Sequence, residues 1–215
     1  MNYKLAISLA LAAALPLMSV SAYAGGGKAH THVGHVMKSW ADTPNKAGFL
    51  PTAIAESKTA ITHAGLAAKN LGDLKKIKMH IGHVLNAVDP SIEKKGPGLG
   101  YGVLAAAKNT SKHIGLAAAS PDANDYIKLH AKHVSAAADN TVMRVAKVAN
   151  LGKQILATSS TQDAAPLVKQ MVILTDQLYN GEDLDGDGGV SWNKGEGGLK
   201  VSNAHAGFIM KNEGL

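Results

Sequence analysis

The sequence predicts an all-α protein, an antiparallel helical bundle built from repeated, histidine-containing helical hairpins. Three observations lead there. Alanine, leucine and lysine dominate and β-branched runs are short, so local propensity favours helix throughout. Apolar residues recur at helical spacing, for example Ile77, Val84 and Ala87, then Ile127, Val134 and Ala137. Short links rich in Gly, Pro, Asn and Asp separate these stretches, and short links place successive helices antiparallel. At 215 residues and 46% hydrophobic, the chain can bury a core, but with 4% aromatics that core must lean on alanine. The absence of cysteine excludes disulfide scaffolds, thiolate zinc sites and c-type haem attachment.

In chain order, residues 1–24 read as a secretory signal. Lys4 supplies the positive start, Leu5 to Leu17 the apolar stretch, and Ala22-Tyr23-Ala24 the small-residue cleavage pattern. The expected product is exported, periplasmic or secreted. Its body, residues 25–181, carries 18 Lys+Arg against 10 Asp+Glu, whereas residues 182–215 carry 3 Lys against 6 acids. Helices are expected near 29–41, 51–69, 73–88, 100–119, 122–138, 141–158, 164–180 and 199–212. Pro44 and Pro51 bracket the first link, and Gly72-Asp73 supplies a helix stop followed by an N-cap. Asp89-Pro90 ends the third helix, and Ser120-Pro121-Asp122 makes the next hairpin turn.

An internal repeat carries six of the ten histidines. His63–Asp89 matches His113–Asp139 at an offset of 50, with 12 of 27 positions identical. Each copy has a lone His followed by Gly-Leu-Ala-Ala, then an H-x-x-H-V string seventeen residues on. The string recurs once more as His32-Val33-Gly34-His35-Val36. A further copy without histidines is expected around Leu151 and Leu174.

Spacing turns the repeat into geometry. His63 and His80 flank the Leu71-Gly72 turn equally, each about 12 Å from it at a helix rise of about 1.5 Å per residue. His113 and His130 flank Pro121 in the same way. His83 and His133 sit one turn beyond on the same helix faces. Each repeat can thus bring a trio together, His63, His80 and His83 in one and His113, His130 and His133 in the other, with the site made by a hairpin or by a groove between hairpins. His32 and His35 form an incomplete unit, with His30 and His205 outside the pattern. Clustered imidazoles resist joint protonation, and metal binding uses the neutral ring. Nitrogen ligands suit zinc, copper, nickel or iron. Haem held between histidines on opposed helices is the alternative, since Ala105-Ala106-Ala107 and Ala117-Ala118-Ala119 leave room for a porphyrin.

Near the end stands Asp183-Leu184-Asp185-Gly186-Asp187-Gly188-Gly189-Val190-Ser191, with acids at positions 1, 3 and 5 and glycine at 6. This resembles the calcium loop of the EF-hand family. The resemblance implies calcium ligands from Asp183, Asp185 and Asp187, a carbonyl from Gly189, and a direct or water-mediated oxygen from Ser191. Position 12 is Lys194 rather than an acid. Glu196 is the nearest substitute and requires a longer loop. The expected role is to pin the last helix onto the bundle.

These features point to binding rather than catalysis. No H-E-x-x-H, nucleophile elbow or P-loop is present. Scattered lysines with few aromatics argue against nucleic acid, and no segment after the signal is apolar for long enough to span a bilayer. The expected partners are metal ions or haem.

Overall fold

The computed structural model describes residues 26–193 and 195–215; the expected signal over 1–24 and Lys194 lie outside them. The described residues form helices α1 (Lys28–Met37), α2 (Phe49–Ala68), α3 (Leu74–Val88), α4 (Val103–Ala119), α5 (Asp125–Ala157), α6 (Thr161–Asn180) and α7 (Leu199–Asn212), with a 3-10 turn at Pro44–Lys46. No strand occurs among them. The helices pack as a bundle in which α2–α3, α4–α5 and α5–α6 are hairpins. α1 lies against α4, and α7 lies against α5.

Local chemistry fixes the boundaries. Asp73 accepts the Lys76 N–H, Asn124 the Ile127 N–H and Ser160 the Asp163 N–H, so α3, α5 and α6 each begin on a side-chain cap. The cap at Ser160 starts α6 three residues before the expected position. Glycine at 102 has φ +82, a conformation that a side chain disfavours, and it delays α4 to Val103. α1 has no side-chain cap of its own. Its Ala29 N–H donates instead to Asp122, 3.2 and 3.3 Å from the two carboxylate oxygens, which ties α1 to the α4–α5 turn.

One expectation is corrected. The helices anticipated at 122–138 and 141–158 are a single helix, α5, of 33 residues, about 50 Å long at 1.5 Å per residue. Asp139-Asn140 does not interrupt it because no Gly or Pro stands there and the segment is packed. Asn140, Thr141 and Arg144 are buried, and the Thr141 hydroxyl donates to the Ala137 carbonyl within the helix.

The core combines fully buried Ile77, Ile81, Leu85, Ile114, Ile127 and Ile155 with alanines such as Ala106, Ala107 and Ala117. Small residues let helices approach closely, so the few aromatics leave no deficit of packing at these positions. Glu56, wholly buried on α2, accepts N–H groups from Leu99 (3.0 Å), Tyr101 (3.1 Å) and Gly102 (2.8 Å). That carboxylate holds the long α3–α4 link against the bundle.

Candidate metal centres

Nine of the ten histidines gather in three triads: His32, His35 and His113; His63, His80 and His83; and His130, His133 and His205. Each triad joins one H-x-x-H pair on one helix to a single histidine on another. In every case the contacts run through Nδ1 and centre on the single histidine. His113 Nδ1 lies 3.2 Å from that of His32 and 3.3 Å from that of His35. His63 Nδ1 lies 3.1 Å from that of His80 and 3.3 Å from that of His83. His205 Nδ1 lies 2.8 Å from that of His130 and 3.3 Å from that of His133.

The sequence builds these sites simply. Residues three apart on a helix share a face, so each H-x-x-H presents two rings side by side. The valine that follows, Val36, Val84 or Val134, is fully buried and anchors that face to the core. The paired histidines sit at the edge of the apolar stripe, half-buried, while His113 is buried.

Two of the expected groupings are revised. The first repeat forms its trio as anticipated, across the α2–α3 hairpin. The second repeat does not: His113 turns to the H-x-x-H of α1, and His130 and His133 turn to His205 on α7. The α4–α5 hairpin closes through small residues instead, with the Ser111 and Ser135 hydroxyl oxygens 2.7 Å apart. The His113 face of α4 is covered by α1, docked by Asp122, and by Trp40 and Phe49. His32 and His35 therefore belong to a complete triad, and His205 is a site residue outside the expected set. A short signal marks it. His205-Ala206-Gly207-Phe208 parallels His63-Ala64-Gly65-Leu66 and His113-Ile114-Gly115-Leu116. His30 stays outside the triads, with Nε2 2.9 Å from a Glu213 carboxylate oxygen.

The nitrogen geometry is one that could hold a metal ion. Each neutral imidazole nitrogen offers one proton or one lone pair, so three Nδ1 atoms facing a common point cannot all satisfy one another by hydrogen bonds. A cation at that point satisfies all three. Ligand nitrogens at 2.0–2.1 Å from a tetrahedral ion stand about 3.3 Å apart, and the five longer contacts, 3.1–3.3 Å, match that spacing. Among the described residues no carboxylate joins any of the histidine groups.

Burial favours the neutral form of seven of these rings. His113 is pushed down to about 4 by burial first, then by the charges of His35, His32 and Lys112. His205 is likewise lowered to about 4, by burial and then by His133 and His130. His35, His63, His80, His130 and His133 are all lowered, burial being the largest cause each time. The neutral ring is the form that binds metal.

Both tryptophans stand against triads. The Trp40 ring centroid lies 4.7 Å from His35 and 5.0 Å from His113. Trp192 stacks on His133 at 4.2 Å and 19°. The α2–α3 triad has no tryptophan beside it.

The acidic loop forms a fourth cluster, in which Asp183, Asp185 and Asp187 each bring a carboxylate oxygen within 4.8 Å of the others. Asp183 accepts N–H bonds from Gly186 (2.7 Å) and Gly188 (2.9 Å), and Asp187 accepts one from Gly189 (2.8 Å). The turn uses two glycines with positive φ, Gly186 at +75 and Gly188, the glycine at position 6, at +88. Glu196 is 1% exposed, and its Oε2 accepts the Ser191 N–H at 2.9 Å and the Ser191 hydroxyl at 2.6 Å. Its Oε1 is buried without a hydrogen-bond partner. The Ser191 hydroxyl and N–H hold this carboxyl below its usual range, against the opposing effects of burial and the Asp185 charge, with help from the Asp185 N–H.

Comparisons with protein-family models, with curated proteins and with solved structures return no match to this chain. The chain is defined by its own fold and sites, as a helical bundle with three histidine triads that could each hold a metal ion.

Proposed function

We propose that this is an exported metal-binding protein that holds one first-row transition ion in each histidine triad and acts in metal buffering or delivery. The observation that carries this reading is the threefold recurrence of one motif, an H-x-x-H pair plus a single histidine from another helix, each time with Nδ1 atoms 2.8–3.3 Å apart. Repetition of the same nitrogen cage on three pairs of helices is not something core packing requires. The donor set, three neutral imidazoles, suits zinc, copper, nickel or iron(II) over magnesium or calcium. Three protein ligands leave a fourth position for water or an incoming ligand, which suits a site that exchanges its metal. The half-buried placement of most of these histidines agrees with exchange.

A bare ion is favoured over haem by the convergence of three nitrogens on one point. A porphyrin has to lie between two axial imidazoles on opposite sides of its iron, whereas the Nδ1 contacts within each triad are 2.8–3.3 Å. Export rests on the pattern of residues 1–24. The acidic loop is read as a calcium site, with Asp183, Asp185, Asp187, Gly189, Ser191 and Glu196 as its oxygen donors, on the strength of its resemblance to EF-hand loops.

Titration of the metal-free chain with cobalt(II) and zinc(II) tests the reading. Three equivalents should bind, and cobalt should develop the intense visible bands of tetrahedral coordination. Pale octahedral cobalt that washes off on a desalting column contradicts it.

A further inference from the structure

The geometry points to a linkage between two kinds of cation: a calcium-type ion in the acidic loop sets the affinity of the His130/His133/His205 centre for its transition metal. This rests on the proposed metal reading of that centre. It adds that this centre, unlike the other two, is assembled by a segment that a second cation orders.

The loop and the centre share one short stretch of chain. Ser191 and Glu196 belong to the loop, Trp192 stacks on His133, Gly198 starts α7, and His205 follows on that helix. α5 grips the same stretch from the other side. Arg144 donates to the carbonyls of Gly195 (2.6 Å), Glu196 (2.7 Å) and Gly197 (2.7 Å), and the Ser202 hydroxyl donates to the Val134 carbonyl. His133 and Val134 are thus bridged to the loop through Trp192 and to α7 through Ser202. A cavity of about 480 Å³ separates the loop from α7, with Ser191, Trp192, Lys200 and His205 among its walls. A shift of the loop therefore moves walls that the third centre shares.

The acidic cluster alone does not make a cation site. The independent observation is Glu196 Oε1, buried with no hydrogen-bond partner on a side chain that Ser191 holds by its other oxygen. A buried carboxyl oxygen left unpaired is costly, and a bound cation is a partner that relieves the cost. The other Glu196 oxygen is bound to the loop through the Ser191 N–H and hydroxyl. Glu196 thus supplies, two residues late, the acid that position 12 lacks. A hard divalent ion bridging Glu196 to Asp183, Asp185 and Asp187 closes the loop at the place where the chain enters Trp192 and α7. Closing it fixes Trp192 on His133 and the start of α7 before a metal arrives. The ordering cost of assembling the third centre is then already met, so the two ions bind with positive coupling.

The test uses the full chain carrying His63→Ala and His113→Ala, which leaves only the third triad whole. Zinc binding is measured by calorimetry with and without millimolar calcium, and helix content is checked by circular dichroism. Calcium should tighten zinc binding by about tenfold, within the usual range of coupling between sites. By reciprocity zinc should tighten calcium binding by the same factor. Glu196→Gln should weaken calcium binding and abolish the increment. Trp192→Ala should keep calcium binding but lose most of the increment. Equal zinc affinity with the loop saturated by calcium overturns the linkage, as does a loop that takes up no calcium at millimolar concentration. A third centre that binds no zinc in either condition refutes the metal reading of that centre itself, a result distinct from the other two.

Discussion

Replacing Arg144 with methionine isolates the clamp that holds the C-terminal segment to the bundle. Arg144 is 4% exposed, and its guanidinium makes three hydrogen bonds of 2.6–2.7 Å to successive carbonyls at 195, 196 and 197. Each bond from a charged donor contributes about 1.5–3 kcal/mol, which bounds the gross loss at about 4.5–9 kcal/mol. Two effects reduce it. Burial opposes the charge, only partly offset by Glu182, so removing the charge recovers desolvation energy. Methionine also refills much of the volume, although the three carbonyls are left unpaired or must reach water. A net destabilisation of about 3 kcal/mol follows, and for a fold of this size it lowers Tm by about 6–12 °C. Thermal unfolding followed by circular dichroism reads that shift. In a Trp40→Phe background, the remaining fluorescence reports Trp192 alone and should redden as the stack on His133 loosens. A Tm within about 2 °C of the parent, with unchanged Trp192 emission, refutes the clamp.

The metal-free protein should lose stability as pH falls. His113 and His205 bind protons at about 4 in the fold against an ordinary 6.5, so the unfolded chain holds more protons between those values. Their contribution is complete above pH 6.5 and is lost as pH falls towards 4; denaturant midpoints at pH 7.5, 6 and 5, with and without zinc, check this against a flat profile. His30→Ala should leave the metal stoichiometry intact, because His30 pairs with Glu213 outside the triads, and should cost less than about 1 kcal/mol. Loss of a metal equivalent in that variant contradicts the assignment. Glu56→Gln keeps the shape but removes the charge that accepts three N–H groups, so it should cost about 2–3 kcal/mol in urea unfolding. A variant as stable as the parent removes Glu56 from the account of the α3–α4 link.

The helical class, the hairpin turns and the H-x-x-H pairs were legible because each depends on local spacing. Asp73 caps where a cap is expected, and Ile77, Val84 and Ala87 all face the core. Which single histidine meets which pair was not legible from the repeat. His113 stands level with His130 along the hairpin, yet level is only half of the geometry. The rotation of α4 is set by α1, which docks through Asp122 and covers the His113 face with Trp40. That contact spans more than ninety residues and leaves no local trace. His205 had a trace, the His-x-Gly that it shares with His63 and His113, but it lies outside the offset of 50 that defines the repeat. The unbroken α5 shows the complementary limit. Asp139-Asn140 looks like punctuation, and packing of Asn140, Thr141 and Arg144 carries the helix through it.

The pairing itself can be measured with the two tryptophans. Copper(II) quenches a neighbouring indole, so Trp40 reports the His32/His35/His113 centre and Trp192 the His130/His133/His205 centre. In single-tryptophan chains made with Trp192→Phe or Trp40→Phe, His113→Ala should remove stoichiometric quenching of Trp40 and spare that of Trp192. His205→Ala should do the reverse. Loss of Trp192 quenching in the His113→Ala chain, with Trp40 still quenched, contradicts the account and restores a triad within the second hairpin.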